Sequence, residues 1–177
     1  MQNKPKIKNL NSVIRGNNSI LLKKNYIICF FITILIFIFD RISKIKIINS
    51  EINNDTFYIN NFINFDLVWN TGIGFGLLSF NSSLIYNSIT SIIGIVIIII
   101  GYFIIKSKLR EKIFLAIILG GALGNFYDRL IYYAVPDFID FHYDKFHWFT
   151  FNIADIFITI GIFGLIITDV TKKNEKN

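Results

Sequence analysis

Cysteine, charge and recognisable nucleophile motifs are what this chain has least of. Its one cysteine, Cys29, excludes an internal disulfide and lies inside an apolar run. Charged residues are only 17% of 177 positions, below the roughly one quarter usual in soluble domains. No GxSxG elbow is present, so a serine nucleophile has no support, and a cysteine buried early in an apolar run is no better placed. Basic residues exceed acidic ones, 18 to 12. They form short clusters beside apolar runs, however, and no basic face interleaved with exposed aromatics occurs. No nucleic-acid partner is expected from that pattern.

What is present is apolar. Hydrophobic residues make up 53% of the chain and mean hydropathy is +0.53, which indicates a membrane protein of one-domain length. Apolar residues run over 26–39 and resume at 45–48, with Asp40-Arg41-Ile42-Ser43-Lys44 between them. A crossing needs about 20 residues, so the first span must include the Asp40 region. The charges after the run and the lack of a small-residue cleavage pattern argue against a cleaved signal peptide. Further spans are expected over 85–105, 113–131 and 151–170.

Charge orients the spans. Basic clusters fill the N-terminal segment, the second connection (Lys106, Lys108, Arg110, Lys112) and the C-terminus (Lys172, Lys173, Lys176). Four crossings put all three on one side, and the positive-inside rule makes that side the cytoplasm. The expected organisation is a basic cytoplasmic tail over 1–25, disordered or interfacial, then a four-span domain over 26–170 and a cytoplasmic tail over 171–177. In this orientation Asp40 and Lys44 fall near the outer end of span one. Asn125 lies about 20 Å up span three from Lys112, and Asp155 about one turn inside the outer end of span four. Polar residues of three spans therefore converge at one depth, near the outer face.

The extracytoplasmic parts are two. In 57–72, aromatic and β-branched residues with intermittent polar alternation are consistent with short strands. Gly72, Gly74 and Gly76 follow, and the 70–80 segment reads either as a flexible turn or as a lid lying on the membrane surface. Between spans three and four, 135–150 forms a second outer loop, held extended before Asp137 by Pro136. The fold expected is thus a four-transmembrane-helix bundle, membrane all-α, with a small extracytoplasmic β-rich cradle and a surface-lying lid.

Charged groups in such a chain need a reason, because a carboxylate near hydrocarbon costs about 2.5–3.5 kcal/mol at the bilayer centre. Asp40 and Lys44 are spaced i,i+4, and the plain reading is a local ion pair. Asp128 and Arg129 are adjacent and so point to different faces. Asp137, Asp140, His142, Asp144 and His147 match neither HExxH nor an EF-hand loop, so no metal is expected and the histidines read as interfacial. Two aspartates held within a few ångströms share a proton and can act as acid and base on a peptide bond without a cofactor. NFYD (125–128) and NIAD (152–155) each space Asn and Asp three apart on one helix face, and their symmetry favours Asp128 with Asp155.

DRISK (40–44), NTGIGF (70–75), GGALGNFYDR (120–129), VPDFIDF (135–141) and FNIAD (151–155), in this order, resemble the lipoprotein signal peptidase (signal peptidase II) family. The resemblance implies an intramembrane aspartic endopeptidase of the bacterial cytoplasmic (inner) membrane. It would cleave signal peptides from lipidated prolipoproteins just before the diacylglyceryl-cysteine, as a monomer in membrane lipid, with no cofactor. It also implies that the catalytic pair is Asp137 and Asp155, not the pair favoured by symmetry. Asp40, Lys44, Asn70, Gly72, Asn125, Asp128, Arg129 and Asn152 would surround them. Pro136, Gly74 and Arg41 depart from the family's commoner residues, and none removes a catalytic group. A transporter or ion- or proton-binding membrane protein is the competing reading; it predicts charges near the bilayer midplane and an internal repeat. A non-catalytic scaffold would tolerate loss of both carboxylates.

Overall fold

The computed structural model describes residues 6–52, 57–72, 83–144 and 146–174. The apolar runs are helices: α1 (Lys6–Ile52), α2 (Ser83–Lys106), α3 (Leu109–Ile131) and α4 (Ile153–Asn174). Each contains a stretch long and apolar enough to cross a membrane, at Lys23–Ser50, Leu84–Lys106, Leu109–Ile131 and Ile153–Asn174. Hydrocarbon offers backbone groups no partners, so a spanning segment must satisfy its own N–H and C=O groups, and a helix does so. The N-terminal segment, expected to be a disordered or interfacial tail, is helical from Lys6. A helix already nucleated by an apolar span gains one hydrogen bond for each further residue it fixes, so extension is cheap. Of the lid expected over 70–80, residues 73–80 lie outside the described residues.

Helix α3 is the centre of the bundle and packs against α1, α2 and α4. Of its most apolar stretch 44% is buried, against 6% for α2, whose Ile92, Ile95, Ile98 and Ile99 face outward. Close approach is what holds α3 in place. A Cβ on Gly120 would stand 2.8 Å from Ile36 Cβ of α1, and one on Gly121 would stand 2.6 Å from the Ala154 carbonyl oxygen of α4. Lipid tails are as apolar as leucine, so helices in a bilayer associate through such packing and through interhelical hydrogen bonds. Thr33 supplies one of the latter, donating to the Ala116 carbonyl at 3.1 Å.

A four-stranded antiparallel sheet caps one end, in the order β1 (Phe57–Tyr58), β2 (Ile63–Asn70), β3 (Val135–Tyr143), β4 (Phe146–Phe151). The strands expected in 57–72 are present. The stretch expected as an extended outer loop is a hairpin, β3–β4, whose aromatic and β-branched residues complete the sheet. Beyond α3, Tyr133 adopts a left-handed backbone (φ 56°) and turns the chain back into β3. Pairing of Asn70 with Val135 and of Val68 with Asp137 sets β3 beside β2. Strand β4 ends at Phe151, one residue before Asn152 and the first turn of α4. The sheet thereby delivers 137 and 152 to the same end of the bundle.

Helix contact through glycine predicts a sharp asymmetry. Gly121→Ala must displace the Ala154 backbone and should cost about 1–3 kcal/mol, seen as a lower thermal midpoint in detergent. Gly101→Ala adds a methyl with nothing within 4 Å and should leave that midpoint unchanged or raised.

Candidate active site

The polar residues of α1, α3 and α4 meet where these helices reach the sheet. Lys44 is fully buried, and its ammonium donates to Asp40 Oδ2 at 2.9 Å, Asp128 Oδ2 at 2.7 Å and Asn125 Oδ1 at 2.7 Å. All three of its protons are thus used. The expected local pair with Asp40 forms, but the same side chain also bridges to α3. Asp40 Oδ1 accepts the N–H of Ala154, one of the donors that the first turn of α4 cannot satisfy internally. Asp128 is shared with Arg41, whose Nη2 lies 2.5 Å from Oδ1, and the Arg41 guanidinium stands 4.9 Å from the Tyr127 ring centre. Arg41 therefore gives the carboxylates of Asp40 and Asp128 a second cation, so two charges face two charges.

From Lys44 the network continues to both candidate catalytic aspartates. Asn125 Nδ2 donates to Asp155 Oδ1 at 2.9 Å. Asn152, fully buried ahead of α4, accepts the Asp155 N–H at its Oδ1 (3.1 Å), and its own N–H donates to Asp155 Oδ2 (3.2 Å). This reciprocal arrangement is a capping box, and it explains the N-x-x-D spacing at this helix start. Asn152 Nδ2 then donates to Asp137 Oδ1 at 2.6 Å, and Asn70 Nδ2 donates to Asp137 Oδ2 at 2.8 Å. One residue thus contacts both carboxylates, Asp137 through its side-chain amide and Asp155 through its backbone N–H.

Asn70 is itself held by the N–H of Gly72 at 2.9 Å, and the Gly72 carbonyl accepts from Arg129 Nη2. Arg129 and Asp128 diverge as their adjacency predicts. All ten residues singled out from the sequence are joined in a single connected network. Asp128 does not pair with Asp155, as the symmetry of the two N-x-x-D units suggested; it faces Lys44 and Arg41. The two units differ because NIAD opens a helix whereas NFYD lies within one, where no free backbone donors need capping.

Asp137 lies on β3 at the end of the bundle, 2% exposed. Burial first, and the Asp155 charge second, push its carboxyl from the ordinary range up to about 7. Both aspartates line a cavity of about 310 Å³ whose other walls are largely apolar, including Ile93 of α2, Ala122 of α3, and Ile158 and Ile162 of α4. Such a site can hold a peptide against one protonated and one ionised carboxyl in a medium poor in water. Two side chains were misjudged from the sequence. Arg41, counted only as a departure, binds Asp128. His142, read as interfacial, is buried, while His147 is exposed.

Comparison with known proteins was made on this basis. The family described as "Signal peptidase (SPase) II" matches residues 32–171. A lipoprotein signal peptidase of Pelagibacter ubique (strain HTCC1062) is 50% identical over 160 residues, covering 87% of this chain and 96% of that protein. One from Burkholderia cenocepacia is 38% identical over 144 residues, covering 80% and 86%. A bacterial membrane enzyme structure determined by the in meso method superimposes with a TM-score of 0.68 at 31% identity, over 84% of this chain and 91% of that one.

Removal of the Lys44 charge leaves Asp40 and Asp128 facing each other with one cation fewer. Lys44→Met should destabilise the bundle by about 3–5 kcal/mol, measured by thermal unfolding in detergent. Adding Asp128→Asn should recover part of the loss, because one of the stranded charges is then removed.

Proposed function

We propose a mechanism on the premise that this chain belongs to the signal peptidase II family. The chain is an aspartic endopeptidase that acts on lipoprotein precursors, and it carries four candidate membrane spans. Asp137 and Asp155 are the catalytic pair in our reading. The observation that carries it is that a single buried residue, Asn152, donates to both carboxyl groups, from its side-chain amide to Asp137 and from its backbone N–H to Asp155, at the edge of a largely apolar cavity.

Asp137, with its raised carboxyl pKa, starts protonated; Asp155 starts ionised. Asp155 takes a proton from water as the water oxygen attacks the scissile carbonyl carbon. Asp137 gives its proton to the carbonyl oxygen, producing a neutral gem-diol. Collapse of that species returns a proton to Asp137 and delivers one from Asp155 to the leaving nitrogen, which breaks the C–N bond and restores the pair. Asn125, backed by the Lys44 ammonium, and Asn152 hold Asp155 in place. Asn70 and Asn152 hold Asp137, so little reorganisation is needed as charge moves.

The finer assignments follow the same reading. The scissile bond is the one before the lipid-modified cysteine, the signal-peptide helix enters laterally through the membrane, and the acyl chains stay in lipid. The sheet serves as a cradle, and the 70–80 segment closes over the substrate. Both termini are cytoplasmic and the site lies near the outer face of the bacterial inner membrane. Support for that orientation comes from the ion pair of Lys172 with Glu111, which gathers the basic ends of α3 and α4 away from the sheet. A single copy carries all the site residues, as a monomer requires. The transporter reading is not favoured, because the buried aspartates, Lys44 and Arg129 cluster where the helices meet the sheet, and the remaining buried charge, Lys112, lies at the other end of α3 and not at a helix midpoint.

Asp137→Asn and Asp155→Asn should each lower turnover of a lipid-modified prolipoprotein by about 10²–10⁴-fold while keeping the native thermal midpoint within a few degrees. Near-native turnover by either folded variant would overturn the assignment. Because Asp137 holds its proton below about pH 7 and loses it above, the wild-type rate should fall as pH rises through that value. A rate rising through pH 8 would exclude Asp137 as the acid.

A further inference from the structure

The hairpin β3–β4 brings together three side chains that the mechanism leaves unused. Among the described residues, Asp140, His142 and His147 offer one carboxylate oxygen and two imidazole nitrogens that all lie within 4.8 Å of one another. Their convergence comes from strand geometry. Asp140 and His142 are two apart on β3 and so share a face. His147 pairs directly with His142, because Trp148 is an extra residue on β4 between the Phe141–Phe149 and His142–His147 pairs. Without that bulge Trp148 would oppose His142 and the imidazole of His147 would point to the other face.

The donor atoms already point inward. His147 Nδ1 is 2.7 Å from Asp140 Oδ2 and His142 Nδ1 is 3.3 Å from the same oxygen, with the two rings stacked 5.3 Å apart. Asp140 is 4% exposed and His142 is 6% exposed, yet His142 Nδ1 has no hydrogen-bond partner. A second orphan lies next to it. Asn64, paired across from Asp140 on β2, has its amide nitrogen 3.4 Å from His142 Nε2, while its Oδ1 is buried and unpartnered. Amide nitrogen and oxygen are nearly isosteric, so a half-turn of that amide presents Oδ1 to accept Nε2–H. The Nδ1 lone pair is then free to face the cluster. A backing acceptor on the far nitrogen is the usual partner of a metal-ligating histidine. One amide rotation and one cation therefore give His142 Nδ1 and Asn64 Oδ1 partners, with Asn64 Nδ2 turned into the place Oδ1 leaves.

We propose that Asp140, His142 and His147 bind a divalent transition cation of the zinc class, with Asn64 orienting His142. Two imidazoles and one carboxylate select such a cation over calcium or magnesium, which prefer all-oxygen shells. Tetrahedral zinc with bonds of about 2.0–2.1 Å places its donors about 3.3 Å apart; the His142–Asp140 pair already stands at 3.3 Å, the His147–Asp140 pair opens from 2.7 Å, and the two imidazoles close from a separation of at most 4.8 Å. The side chain of His147 is 59% exposed, which leaves the fourth position to water. Bound here, the cation ties β4 to β3 three residues beyond Asp137, outside the aspartate pair itself.

The chain has only two histidines and both are in this cluster, so protein freed of any affinity tag and treated with chelator gives an unambiguous test. Zinc titrated into it in detergent, followed by calorimetry and thermal unfolding, should bind one equivalent with micromolar or tighter affinity and raise the thermal midpoint. Calcium should do neither. His147→Ala, at an exposed position, should keep the metal-free midpoint and weaken zinc binding at least tenfold. Asn64→Leu should weaken it by about 10–100-fold. Substoichiometric zinc, equal binding of calcium, or affinity unchanged by His147→Ala would overturn the proposal.

Discussion

The buried ammonium of Lys44 is the interaction on which the rest depends. Three acceptors from two helices surround it, and two of them are carboxylates with no exposure at all. Carboxylates so far from solvent are tolerable only when paired and hydrogen-bonded. Lys44 makes that possible for Asp40 and Asp128 and spends its third proton on Asn125, which reaches Asp155. Asp40 in turn satisfies a free N–H at the start of α4. A single cation on α1 thereby sets the relative depth of α3 and α4.

That registration matters because the two candidate catalytic aspartates come from different kinds of structure. Asp155 sits in the first turn of a helix; Asp137 sits on a strand. Asn152 lies at the junction between them, the last residue of the connection from β4 before α4, and its side chain serves both. It caps the helix with its oxygen and holds Asp137 with its nitrogen. A residue that would otherwise serve as an ordinary helix cap thus couples the sheet to the bundle. Glycines at 120, 121 and 124 on α3 allow the approach that makes these short links possible, Gly124 lying directly against Asp40.

The four spans were legible because membrane crossing demands length and apolarity, both of which are properties of the string of residues. Their expected bounds agree with α1 to α4 to within a few residues over the membrane-spanning stretches. Convergence of Asp40, Asn125 and Asp155 at one depth was also legible, since helical rise converts residue counts into distance. Pairing was not. The repeat of Asn and Asp three apart pointed to Asp128, and only family resemblance pointed to Asp137. Spacing rules describe neighbours on one helix, whereas Asp137 reaches the site through sheet register and the turn at Tyr133. For the same reason His142 was misread: nothing in the run HYDKFH announces that a bulge at Trp148 places both rings on the face of Asp140.

The sequence by itself determined the number of candidate spans and the kinds of group available for chemistry, because bilayer thickness and the cost of burying charge act locally along the chain. Tertiary structure decided which of those groups meet. It extended the Lys44 ion pair from α1 to α3 and gave Arg41 a carboxylate partner in Asp128. It separated Asp128 from the candidate catalytic pair, and it gathered Asp140, His142 and His147 at the hairpin. The physical reason is that helix packing and strand register join residues up to 114 positions apart, as between Asp40 and Ala154, and no local periodicity encodes those distances.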